Sequence, residues 1–138
     1  MWTIYSLLSA LFASLVAIFG KIGISKVDST LATTVRACIM ALFFVITSFA
    51  LNKFTLISTI DNRAFKFIFL SGLAGAFSWL FYFMALKAGP ASGVAALDRL
   101  SVVFVFVLAA IFLQESFTIK GLIGALFVTV GAILLSIK

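Results

Sequence analysis

The sequence predicts an all-α integral membrane protein with five transmembrane helices. Hydrophobic residues occupy 64% of its 138 positions, charged residues only 10%, and the mean hydropathy is +1.33. Soluble domains have roughly 45–50% apolar and about 25% charged residues. Because one spanning helix needs roughly 20 apolar residues, the chain has room for four or five spans and little else. We therefore expect a single helical unit.

Five apolar stretches are separated by short polar connections, and they cover residues 2–20, 31–51, 67–86, 90–113 and 119–137. Trp2 and Tyr5 suit one membrane interface. Ser29 or Thr30 is the predicted N-cap of the second span. The longest polar connection is 52–66.

The turn between the third and fourth spans has a clear signal. Gly89 is expected to end one helix and Pro90 to begin the next, since glycine is favoured after helices and proline in their first turn.

The ten basic residues, which give a net charge of +6, stand singly and form no basic block. This pattern favours anchoring of helix ends at lipid headgroups over nucleic-acid binding. Apart from two arginines inside spans, one side of the membrane has Lys21, Lys26, Lys87 and Lys138, and the other has Lys53, Arg63, Lys66 and Lys120. The positive-inside rule therefore selects neither orientation.

Histidine is absent and Cys38 is the single cysteine. Disulfides, the usual zinc ligand sets and histidine acid–base chemistry are therefore excluded. We expect no enzyme activity, metal or cofactor. The N-terminus lacks a basic leader and a small-residue cleavage site, so its apolar stretch is expected to remain a span.

Three charged residues lie inside apolar spans. Arg36 is about 8 Å along the second span and Asp98 about 12 Å along the fourth, next to Arg99. A charge at the centre of a span costs roughly 2.5–3.5 kcal/mol on insertion scales, so such residues have partners, water or a function. Together with Lys21, they are predicted on one membrane side as a site for a polar substrate or a proton.

A structural interpretation is also open for these charges. Asp98 would then pair with Arg36 or Lys21 to hold the fourth span, while Arg99 reaches the headgroups. Glu115 is close to Lys120 in a short loop and is expected at the membrane–water interface.

The third span has aromatic side chains at helical spacing, which are Trp79, Tyr82 and Phe83. They predict either one wall of a pocket, with Trp79 and Tyr82 contacting substrate, or ordinary packing. Nearer its start, Gly72 and Gly75 permit a close helix neighbour.

Several motifs together resemble an EamA domain of the drug/metabolite transporter superfamily, in its five-helix bacterial and archaeal branch. They are FMALKAGPASGVAALDRLSVV at 83–103, FLQE at 112–115, GLIGA at 121–125, GAIL at 131–134 and FGKIG at 19–23. The branch shows a Pro-Ile-Asp-Lys-Leu-Ser-like run in the fourth helix. Here Ala96 replaces the proline and Arg99 the lysine, whereas Asp98 is retained.

The resemblance implies a multi-pass transporter in the plasma membrane that moves a small metabolite or drug-like solute by alternating access. Ten-helix relatives pair two such units as an inverted repeat, and this chain holds one. The glutamate on which small multidrug resistance proteins depend in their first helix has no counterpart in residues 2–20, so that exchange site is not carried over.

The last span has Gly124 and Gly131 seven residues apart, beside a small-residue row that includes Gly121 and Ala125. Small residues let helices approach closely in lipid. Such glycine pairs resemble the dimer contact of small multidrug resistance proteins and predict a homodimer, parallel or antiparallel. Packing within one chain is the other interpretation.

Two functions other than transport of a small solute remain open. One is a non-transporting accessory or structural subunit of another membrane protein. The other is a flippase for lipid-linked substrates.

Overall fold

The computed structural model describes residues 1–137 and is all-α, which confirms the predicted fold class. The α-helices are α1 (Trp2–Gly23), α2 (Ser29–Ala50), α3 (Asn62–Ala88), α4 (Ala91–Asp98), α5 (Ser101–Phe112) and α6 (Ile119–Ser136). A 3₁₀ helix covers Lys53–Thr59. No β-strand occurs among the described residues.

Five helical stretches are long and apolar enough to cross a membrane. Four of them are α1, α2, α3 and α6, and the fifth is Ala91–Phe112, which joins α4 and α5. A helix of 22 residues is about 33 Å long and crosses a hydrocarbon core of roughly 30 Å. The predicted number of spans is confirmed.

The start of α2 differs from the prediction, because the N-cap is Asp28 and not Ser29 or Thr30. The Oδ1 atom of Asp28 accepts hydrogen bonds from the amides of Thr30, at 2.9 Å, and Leu31, at 3.0 Å. A carboxylate at this position binds two amides that lack partners within the helix and also complements the helix dipole.

The third span begins earlier than predicted. Asp61 Oδ1 accepts from the amide of Ala64 at 2.7 Å, so α3 starts at Asn62 and includes Arg63 and Lys66. At the other end, α3 stops at Ala88 and Pro90 is the N-cap of α4, which confirms the predicted turn at Gly89.

Replacing Asp28 with alanine is expected to lower the unfolding temperature in detergent by a few degrees, whereas Asp28→Asn should retain most of the stability because an amide oxygen also caps. Hydrogen bonding from the Leu31 amide, with smaller help from the Thr30 amide and the Lys87 charge, lowers the pKa of Asp28 below its ordinary 3.8. The extra stability that the charged carboxylate gives is therefore fully present above pH 3.8, and it is lost as the pH falls through the lowered pKa. Unfolding temperatures of wild type and Asp28→Asn should converge as the pH falls from 3.8 through the lowered pKa, and a constant gap would contradict this assignment.

The fourth span is interrupted at the charged pair, which the sequence did not predict. Arg99 and Leu100 have ψ of −12° and −18°, against about −42° in an α-helix. The amides of Arg99 and Leu100 bond to the carbonyls of Ala96 and Leu97, and the amide of Val102 bonds to the Arg99 carbonyl, all in the i→i−3 pattern. This 3₁₀-type turn separates α4 from α5.

The chain forms two compact units. The first comprises Met1–Ile22 and the chain from Ala88 onward, and the second comprises Gly23–Lys87.

In the first unit, α4 packs closely on the end of α6. A Cβ atom at the buried Gly93 would lie 3.5 Å from Cα of Ser136 and 3.6 Å from the carbonyl oxygen of Leu135. Ala132, one turn earlier on α6, is also buried. Small residues on both helices thus allow close approach of their backbones.

The other contacts of this unit involve α5 and α1. Phe106 of α5 stacks edge-on against Phe117, with ring centroids 5.2 Å apart, and covers Gly121 of α6. Lys21 donates from Nζ to the carbonyl of Gly89 at 2.8 Å, so the end of α1 is tied to the turn before α4.

In the second unit, Lys87 Nζ donates to the carbonyl of Val27 at 2.7 Å. This bond joins the end of α3 to the connection before α2. The 3₁₀ helix Lys53–Thr59 lies against α2.

Candidate functional site

Arg36 is the charged residue of α2 that lies well inside the span, seven residues beyond Ser29 and so about 10 Å along the helix. Its Cζ atom lies over the ring of Trp79 from α3, 3.6 Å from the ring centroid, and 5.5 Å from the centroid of Phe83. Guanidinium groups are attracted to the negative face of aromatic rings, most strongly to tryptophan. Arg36 therefore bridges α2 and α3 by a cation–π contact.

The aromatic residues of α3 form a cluster, as the helical spacing predicted. Trp79 and Tyr82 meet edge-on with centroids 5.5 Å apart, and Phe83 is 6.2 Å from Trp79. Their roles differ, since Phe83 is buried while Trp79 is half-buried. Phe83 is therefore part of the packed interior, whereas part of the Trp79 side chain remains accessible.

A groove of about 600 Å³ lies between α2 and α3. Sites for small molecules usually measure roughly 300–1,000 Å³ and are mostly apolar with a few polar groups. The groove is lined by Thr30, Thr33, Thr34, Arg36, Ala37, Met40, Gly72, Gly75, Ala76, Trp79 and Leu80. It reaches from the start of α2 to near the middle of that span.

Small residues of α3 create much of this space. A Cβ atom at Gly72 or Gly75 would have no heavy atom of a neighbouring element within 4 Å. The sequence predicted a close helix neighbour at this position. In the described chain these residues instead leave the groove open.

The threonines of α2 are polar lining residues that the sequence did not predict. Thr30, Thr33 and Ala37 follow a helical i, i+3, i+7 spacing that places them on one face with Arg36 nearby. A threonine row next to an arginine was the available signal. The hydroxyls of Thr33 and Thr34 donate to the carbonyls of Ser29 and Thr30, at 2.7 and 2.9 Å, so each hydroxyl keeps only its acceptor capacity for a ligand.

The two carboxylates of the second unit are used elsewhere. Asp28 caps α2 and Asp61 caps α3. Within residues 23–87, Arg36 accordingly has aromatic contacts but no carboxylate partner. Arginines inside apolar spans usually face a partner or a water-filled cavity. Arg36 lines the groove, so the groove holds its positive charge.

The remaining predicted site residues belong to the first unit. Asp98 is the last residue of α4 and Arg99 follows it in the 3₁₀-type turn, and both side chains are exposed. Lys21 is bonded to Gly89. Of the six predicted site residues, Arg36, Trp79 and Tyr82 lie in the second unit. Arg36 and Trp79 line the groove, whereas Tyr82 contacts Trp79 without lining it.

The predicted dimer residues of α6 fall into two groups. Gly121 faces Phe106, whose ring would meet an added Cβ at 2.6 Å, and Ala125 on the same row is half-buried. Gly124 and Gly131 have no such neighbour within 4 Å. The first group packs within the chain, and the second leaves an open face.

The fold and the groove define a multi-span helical membrane protein with a cavity of small-molecule size. The sequence matches the EamA-like transporter family over residues 1–137. The chain belongs to this family, which confirms the resemblance.

Two curated relatives have transporter names. One, "uncharacterized transporter in cobO 3'region" of Sinorhizobium sp, is 39% identical over 136 residues, which are 99% of this chain and 96% of the relative. The other, "uncharacterized transporter YvbV" of Bacillus subtilis strain 168, is 29% identical over 114 residues, which are 83% of this chain but 37% of the relative. No solved structure shows a significant match.

Proposed function

We propose that the protein transports a small organic solute across the plasma membrane and that the groove between α2 and α3 is its solute site. The observation that carries this proposal is a half-buried guanidinium in a 600 Å³ groove of a transporter-family chain. Trp79 holds the guanidinium of Arg36 at 3.6 Å from its ring centroid. The Arg36 side chain is therefore already ordered, and a ligand loses less binding free energy in fixing it.

We further propose that transport proceeds by alternating access, with the turn between α4 and α5 as the hinge. The i→i−3 hydrogen bonds there have poorer geometry than α-helical ones, so the two half-helices can bend about them at low cost. Asp98 lies at this hinge. A carboxylate inside a span is stable only while hydrated, protonated or paired, so a change of its partner would favour one of two conformations.

The working form that we propose is a homodimer formed through the open face of α6. Many transporters place the solute site between two repeats. One relative has nearly the length of this chain, whereas the other is more than twice as long and matches over about a third of its length. The even distribution of basic residues is compatible with an antiparallel pair.

Cross-linking tests this dimer. In a Cys38→Ser background, Phe127→Cys places a thiol between Gly124 and Gly131, where Phe127 is 72% exposed. We expect efficient cross-linking in membranes, and loss of most of it when Gly124 and Gly131 are both changed to leucine, because the added side chains would hold the helices apart. Gly23→Leu, which adds the same bulk at another open glycine, is the control. Unchanged cross-linking in the double variant would place the interface elsewhere.

Transport is tested with liposomes that contain only this protein. They are loaded with a water-soluble metabolite extract, and efflux is followed by mass spectrometry against protein-free liposomes. We expect selective loss of one or a few solutes, and we expect Asp98→Asn to abolish it in a protein that still folds. Efflux of no solute would support an accessory subunit, and movement of a lipid-linked sugar between leaflets would support a flippase.

A further inference from the structure

Arg36 is the one charged residue among the described residues that line the groove. The charge of Arg36 would therefore neutralise a ligand that carries a single negative charge. A second negative charge would remain uncompensated in an apolar environment, which is costly. A positive group would face the guanidinium with no lining carboxylate to offset it.

Arg36 is also the only charged hydrogen-bond donor among the described residues that line the groove. The hydroxyl groups of Thr33 and Thr34 already donate to main-chain carbonyls. The cation–π contact of Arg36 with Trp79 does not use the N–H groups of the guanidinium, so these can still donate to a ligand. The guanidinium N–H groups form the fork that binds the two oxygens of a carboxylate in parallel. The strongest donor set thus fits a planar, two-oxygen anion.

The rest of the lining is apolar and leaves room for a small body. Met40 and Leu80 provide hydrocarbon surface, and Gly72 and Gly75 leave open space. A carboxylate on Arg36 would therefore carry its apolar part along these residues.

We infer that the groove binds a monocarboxylate with a compact apolar body and without an ammonium group. This inference rests on the proposed function, since it names the substrate class of the same site. It separates simple organic acids from zwitterionic amino acids and from phosphate dianions of similar size.

The test uses four probes that share one phenyl body: 3-phenylpropionate, 3-phenylpropanamide, phenylalanine and 2-phenylethyl phosphate. The chain has two tryptophans, so a Trp2→Phe variant reports on Trp79 by its fluorescence. We expect 3-phenylpropionate to bind at least roughly tenfold more tightly than each of the others, as a charge-assisted pair predicts. Arg36→Gln should remove the preference for the acid over the amide, whereas Arg63→Gln should preserve it.

The possible results test the ligand class and the proposed transport separately. Equal binding of the amide, or tighter binding of phenylalanine or of the phosphate, would overturn the inference even if the protein transports other solutes. Binding of 3-phenylpropionate without flux in liposomes would sustain the inference and contradict the proposed transport. Arg36→Lys, which retains the charge, should keep part of the preference and so separates charge loss from misfolding.

Discussion

Replacing Arg36 with glutamine is expected to reduce the flux of radiolabelled 3-phenylpropionate in liposomes roughly 10- to 100-fold. A hydrogen bond to a charged group contributes about 1.5–3 kcal/mol, and glutamine retains neither the charge nor the two-pronged geometry. The initial rate above that of protein-free liposomes is the measurement. Arg36→Lys should lie between wild type and the glutamine variant.

The matched control is Arg63→Gln. Arg63 is an exposed arginine near the start of α3 and does not line the groove, so its loss removes the same charge without affecting the site. Wild-type flux for Arg36→Gln combined with a lower unfolding temperature would show that Arg36 is a structural tie between α2 and α3. The solute site would then lie elsewhere.

The second large effect is expected from Gly93→Leu, which should destabilise the protein by about 3 kcal/mol. Backbone atoms of Ser136 and Leu135 lie 3.5 and 3.6 Å from the position of an added Cβ, so a longer side chain forces α4 away from α6. Backbone cannot rotate aside as a flexible side chain does. The unfolding temperature in detergent and the yield of folded protein are the measurements.

Two comparisons make this result specific. Gly93→Ala should have a small effect, since its Cβ would be tight only against Pro90, at 3.3 Å. Ser92→Leu adds the same side chain at an exposed position on α4 and should leave stability nearly unchanged. If Gly93→Leu were as stable as Ser92→Leu, the result would contradict the close packing of α4 on α6 at Gly93.

The number and order of the spans were determined by the sequence alone. Hydropathy depends only on neighbouring residues in the chain, and a bilayer imposes a fixed length on each apolar helix, so counting residues is enough. The turn at Gly89 and Pro90 was predicted for a similar reason, because both residues restrict the local backbone. The motif around Asp98 gave the family.

Helix ends were predicted less well. Asp28, one residue before the predicted caps, proved to be the N-cap, and Asp61 started α3 five residues early. Caps depend on which side-chain oxygen reaches the free amides, and neighbouring polar residues compete for that role. The interruption after Asp98 was not predicted, since neither proline nor glycine marks it.

The composition of the site was decided only by tertiary structure. The sequence singled out both Arg36 and Trp79, but their contact depends on the rotation of α2 against α3, which no local pattern reports. The same holds for α6, where Gly121 faces Phe106 while Gly124 lies open, three residues and most of one helical turn away. Small residues indicate that another helix can approach closely, but only the packing of the helices determines which neighbour does so.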